Sequence, residues 1–205
     1  TERGGIFDYR GFLQMAPDGK GVSRVYKLQD VSGTLADPEN ASLSPPAWYG
    51  AVYYRALLNK RWGRRYYTLF GWKGMDRKMT GKTLDVLWFD GSGPHFGAPV
   101  FVFEKSTGTG KPDIRHRLVF FFNARAVMNL RYEERMHMIV YDHLSPSHPS
   151  LSGDRSAYGP DFIYEGLRFR RGKWTHRHDI DVRNVRIKDK KTPERPQEMP
   201  VYRPE

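Results

Sequence analysis

Apolar and aromatic residues fall in short runs along this chain, broken by Gly, Pro, Asp and Ser, and the helical period of about 3.6 is hard to find. The best helical stretch, YGAVYYRALL at 49–58, also reads as a strand. The pattern predicts strands over 6–15, 22–29, 49–58, 65–72, 83–89, 100–104, 115–123, 127–132, 136–142, 162–170, 173–182 and 185–188. Hairpin-like turns join most of them. PDGKG at 17–21 is one, where Asp and Gly tolerate positive φ, and NKRWG and RRGK look similar. Two connections are longer, 31–48 and 144–160, and long loops in β proteins often carry binding groups. The expected fold is all-β: an antiparallel meander of about ten strands forming a barrel, a sandwich or a strongly curved sheet. Residues 1–187 are expected to form one β domain, and the charged, Pro-rich stretch 188–205 an extended tail over the surface or onto a partner.

Strand parity sorts side chains onto faces. In 65–72, Tyr66, Thr68, Phe70 and Trp72 share one face, while Arg65, Tyr67, Leu69 and Gly71 share the other. Both carry apolar groups, so this strand is expected to be covered on both sides. That counts against an exposed aromatic platform for single-stranded nucleic acid. The stretch KWTHRHDIDVRN at 173–184 looks at first like a cluster of metal ligands and proton-transfer groups. As a regular strand it divides: Trp174, His176, His178, Ile180 and Val182 on one face, Lys173, Thr175, Arg177, Asp179 and Asp181 on the other. The histidines point inward or toward a covering loop, and the acids join a solvated row of charge.

Hydrophobic residues make up 39% of the 205, enough for a core, and aromatics are 14%, so rings are expected to build much of it. The net charge of +11 is concentrated. Segments 55–78 and 168–195 carry the whole excess, which favours an acidic partner: a protein, an anionic membrane surface, a glycan or nucleic acid. Cysteine is absent, which excludes disulfides, thiolate metal sites and a cysteine nucleophile. No apolar run approaches the roughly 20 residues of a membrane span. The chain starts at Thr1 rather than Met, consistent with an export signal removed upstream.

Few motifs carry chemistry. TGKT at 80–83 resembles part of a phosphate-binding loop but lacks the earlier Gly and leads into LDVLWF, a strand, so a hairpin turn is the better reading. Asp142, His143 and His148 sit at a strand end and in the loop after it, where Asp142 would hold the turn. His176 and His178 supply two ligands on one strand face, and a metal needs a third, from His95, His116, His137, His143 or His148. Packing beside Trp174 is the simpler role, and no metal or cofactor is expected.

From about 48 to 184 the order of segments resembles a family of uncharacterised secreted or periplasmic β-rich proteins of the Bacteroidota. WYGAVYYRAL, RRYYTLFGWKG, KTLDVLWFDG, FGAPVF, LVFFFNARAVMNLRY, MIVYDHLSP, YGPDFIYEGLRFRRGKW and DIDVRN carry the likeness. That family has no assigned activity. The resemblance implies an exported protein of the periplasm or cell surface. Its pattern lacks the two histidines before the final DxDxRN, which moves weight to Asp179, Asp181, Arg183 and Asn184, with Asp142, as a strand-end network of charges and turns. The expected role is non-catalytic: an accessory subunit docking to a larger envelope assembly through Arg61, Arg64, Arg65, Arg170, Arg171, Lys173, Lys190 and Lys191 and through the tail. A glycan-binding or glycan-active protein using strand-end acids around Asp85, Asp90 and Asp142 is the second reading, and nucleic-acid binding the third.

Overall fold

The computed structural model of the protein describes residues 2–3, 6–61, 63–104 and 110–182. In chain order the strands are β1 (Glu2–Arg3), β2 (Ile6–Phe7), β3 (Arg10–Gln14), β4 (Val25–Asp30), β5 (Ala47–Trp48), β6 (Val52–Arg61), β7 (Arg64–Gly74) and β8 (Met79–Asp90). They continue with β9 (Gly93–Phe96), β10 (Phe101–Phe103), β11 (Asp113–Arg115), β12 (Leu118–Asn123), β13 (Leu130–Glu133), β14 (Met138–Pro146), β15 (Tyr158–Arg170) and β16 (Lys173–Arg177). The fold is all-β, and among the described residues no helix is long and apolar enough to cross a membrane.

Burial along β7 and β8 explains the layering. Thr68, Leu69, Phe70 and Gly71 are buried in succession, as are Thr83 through Leu87. Successive side chains point to opposite faces, so unbroken burial requires cover on both sides. These strands lie in a five-stranded sheet of order β12-β8-β7-β6, with β9 paired to β8. One face, with Phe70, Leu84, Val86 and Leu118, packs on a six-stranded sheet of order β11-β10-β16-β15-β14-β13 through Ile139, Leu167 and Trp174. The other face, with Leu69 and Leu87, packs on Tyr9, Leu28 and Trp48 in and around the three-stranded sheet β3-β4-β5. No sheet closes on itself among the described residues. The two-sided cover expected for 65–72 is present.

The layer under the three-stranded sheet also buries charge. Asp85 and Arg117 pair at 2.9 Å with neither side chain exposed. Tyr53 donates to Asp85 at 3.0 Å, Trp48 donates to Tyr53 at 3.0 Å, and Arg117 donates to the Pro38 carbonyl at 2.7 Å. Burial, reinforced by the Asp85 carboxylate, pushes the Tyr53 hydroxyl well above its usual range, so it remains a donor. Nearby, Lys73 donates to Asp30 at 3.2 Å and to the carbonyls of Tyr49 and Gly50 at 3.0 and 2.6 Å. Gly50 has φ +63, and a Cβ there would collide with the Asp30 carboxylate. The long connection 31–51 therefore serves as a lid over buried charges.

Several expectations change. The meander is interrupted by two parallel pairs, β10 with β16 and β4 with β5. TGKT is not a turn. It lies inside β8, paired to β7 and β12 on both sides, and the chain reverses earlier, at 75–78. The strand expected over 173–182 ends at Arg177, because Asp179 adopts φ +47, which a pleated strand cannot continue through and which Asp tolerates better than most residues. The strand expected over 127–132 begins only at Leu130. The expected strand at 185–188 and the tail lie outside the described residues.

Candidate functional site

The β15–β16 hairpin sets the geometry. Arg171 and Gly172 form its turn with φ +50 and +80, the positive pair that a tight hairpin loop needs. From this turn the register follows: Arg170 opposite Lys173, Leu167 opposite His176 and Gly166 opposite Arg177. The next residue of β15, Glu165, falls beside His178. Glu165 also pairs with Tyr141 of β14, so Tyr141, Glu165 and the histidines share the inward face.

Glu165 Oε2 lies 3.2 Å from His176 Nε2, and Glu165 Oε1 lies 3.4 Å from His178 Nδ1. The two imidazoles meet edge to face at 4.2 Å, and Phe103 packs against His176 at 4.8 Å. The His176 side chain is only 6% exposed, whereas that of His178 is 76% exposed. Nε2 of His176 is buried without a hydrogen bond, because the nearby carboxylate oxygen is off its axis. Burial alone would raise the Glu165 pKa, but His176 and the Tyr141 hydroxyl outweigh it and hold it below the usual carboxylate range. Tyr141, strongly buried, is pushed well above its ordinary pKa and so stays a donor to Glu165.

A cleft of about 400 Å³ adjoins the cluster through Tyr141 and Glu165, and is lined also by Glu39, Arg115, Phe120 and His143. Arg115 is held there by Glu39 at 3.0 Å and Asp113 at 2.8 Å, and His143 by Asp161 at 2.7 Å.

The histidine pair thus shares a face, as parity predicts, but its third neighbour is a carboxylate from the adjacent strand rather than any of the five other histidines. Glu165 was legible only by counting outward from the RRGK turn. The remaining strand-end residues do not form one network. Asp142 lies inside β14 rather than at its end, and accepts from the backbone and side chain of Asn129 at 2.7 and 3.0 Å, so it ties β14 to the residue before β13 instead of holding the loop after it. Asp179 and Asp181 line a different cavity with Phe162, Tyr164, Ile180 and Val182. Arg183 and Asn184 lie outside the described residues, as do Lys190 and Lys191. The acids of the glycan reading are also separated: Asp85 is buried with Arg117, and Asp90 sits in a tight turn with Ser92 and His95.

The basic residues behave differently. The Trp174 indole donates to Thr68 Oγ1 at 3.0 Å, which locks the β15–β16 hairpin across from β7. Farther along, Phe120 of β12 meets Tyr141 of β14 with ring centroids 4.9 Å apart. The two contacts together make β7 and β16 leave their turns in the same direction. Both hairpin turns therefore project from one end of the stacked sheets, on the order of 10 Å beyond the Thr68–Trp174 lock at a strand rise of about 3.3 Å per residue. That end presents Arg64, Arg65, Arg170 and Arg171 exposed and Lys173 half-buried, next to Arg61, the last residue of β6. None of the four exposed arginines has an acidic partner among the described residues, whereas nearby acids do. Asp90 is held by His95, Glu133 by Arg131 and Glu134 by Arg55.

The chain matches no protein-family model, no curated protein and no solved structure.

Proposed function

We propose that this chain is a non-catalytic binding protein of the cell envelope, an accessory subunit that docks an acidic face of a larger protein assembly through its basic end. The gathering of Arg64, Arg65, Arg170 and Arg171 at one end, unpaired among the described residues, carries this reading. Four guanidiniums left unneutralised on adjoining rigid turns make a preformed receptor for carboxylates, since each offers a planar fork of donors. Two segments far apart in sequence contribute, so the patch is a product of the fold rather than of a local run of charge. The envelope location follows from the resemblance of residues 48–184 to exported β-rich proteins. Leu58, exposed on the edge strand β6 three residues before Arg61, adds apolar area close to this end.

The test is co-purification from native membranes at moderate salt, comparing the wild type with a variant carrying Arg64→Glu, Arg65→Glu, Arg170→Glu and Arg171→Glu. All four positions are exposed, so stability should change little. Recovery of the protein partner is expected to fall about tenfold or more, with wild-type association weakening as salt rises. Equal recovery by the two proteins would refute docking through this end. Binding of the wild type to polynucleotide with a steep salt slope, and to no protein, would move the assignment to nucleic acid.

A further inference from the structure

We propose that Glu165, His176 and His178 form a binding site for a zinc-like divalent cation, with three ligands from the β15–β16 hairpin and a fourth position open to solvent. One donor atom from each residue lies within 4.8 Å of the others. Glu165 reaches each imidazole with a different oxygen, Oε2 to His176 Nε2 at 3.2 Å and Oε1 to His178 Nδ1 at 3.4 Å, close to the roughly 3.3 Å between neighbouring ligand atoms of an ion bound at about 2.0–2.1 Å. Two imidazoles and one carboxylate are a ligand set that zinc accepts, and a chain without cysteine has no thiolate site to compete.

The buried nitrogen is the independent observation. A ring nitrogen removed from water and given no aligned hydrogen bond is costly, and such groups are rare in folded proteins. A cation between His176 and Glu165 supplies the missing partner. The surroundings fit as well. Tyr141 hydrogen-bonds Glu165 from outside the ligand set, which fixes the carboxylate. Phe103 packs against the His176 ring and limits its rotation. His178 is exposed and gives the ion a path from solvent.

A simple ion pair of Glu165 with the two histidines would produce similar distances, so the experiment must separate the two. Full-length protein without an affinity tag is treated with a chelator and titrated with Zn²⁺ by calorimetry. One equivalent should bind saturably, and Zn²⁺ should raise the melting temperature. His178→Ala, at an exposed position, should keep the fold and weaken binding at least about tenfold, as should Glu165→Gln. His137→Ala and His148→Ala should leave the affinity unchanged. The proposal fails if folded wild-type protein shows no saturable binding of one equivalent. It fails equally if His178→Ala and Glu165→Gln bind Zn²⁺ as tightly as the wild type.

Discussion

Replacing Asp85 by alanine is expected to cost about 3–5 kcal/mol, a large share of the stability of a chain this size. The wild-type pair need not be strongly stabilising in itself. Two charges taken from water lose hydration that their attraction only partly restores. Removing one member is different, because Arg117 then stays charged with no exposed surface and no counter-ion. Its guanidinium is raised still further above its ordinary pKa: burial opposes the charge, but Asp85 more than compensates, so loss of a proton offers no escape. The Tyr53 hydroxyl loses its acceptor as well. Replacing both charges, Asp85→Leu with Arg117→Met, should recover much of the loss but not all, since the Tyr53 hydroxyl loses its acceptor and the Pro38 carbonyl its donor. Urea denaturation followed by tryptophan fluorescence measures each variant. A single-variant loss below about 1 kcal/mol would contradict the description of this layer.

Trp174→Ala is expected to be of similar size, about 3–5 kcal/mol. The residue is 1% exposed, its ring lies tilted against Phe169 at 5.0 Å, and it joins the core between the two large sheets. Its indole also donates to Thr68, so truncation removes a contact between sheets along with the area. Trp174→Phe separates these parts. It keeps most of the ring and loses the hydrogen bond, for roughly 1–2 kcal/mol. The same denaturation experiment reads both. If Trp174→Phe costs as much as Trp174→Ala, the bond rather than the packing dominates, contrary to expectation.

Much of the architecture was legible in the sequence for a physical reason. A strand buried on both faces cannot alternate, and RRYYTLFGWKG does not, so central placement of β7 follows from its pattern. Short aromatic runs between turn residues led to the all-β class in the same way. What parity could not supply was the partner strand. TGKT looked like a turn because Gly and Lys are poor strand formers, yet Gly81 sits in β8 with the Phe120 carbonyl and the Phe121 ring packed against it, a place where a side chain would collide. Tertiary packing overrode local preference there. The candidate site shows the same division. The inward histidine pair was readable from alternation, whereas Glu165 belonged to another strand and emerged only from the hairpin register. Asp85 and Arg117, 32 residues apart, gave no sequence signal of their pairing. Strand-end acids seemed candidates for chemistry only because their neighbours in space were unknown.

The position of β16 has a consequence for how the protein is made. It is the last described strand in the chain, yet it is placed in the interior of the six-stranded sheet, between β10 and β15. Before it joins, β10 and β15 each present an open edge toward the other. The parallel pairing of Phe101 with Trp174 spans 73 residues, and the Trp174 amide also donates to the Val100 carbonyl. Contacts of such separation are slow to form. Until the β15–β16 hairpin docks, β10 and β11 stay apart from the rest of the sheet with an edge open to other chains, and residues 173–177 then close the gap as a keystone closes an arch.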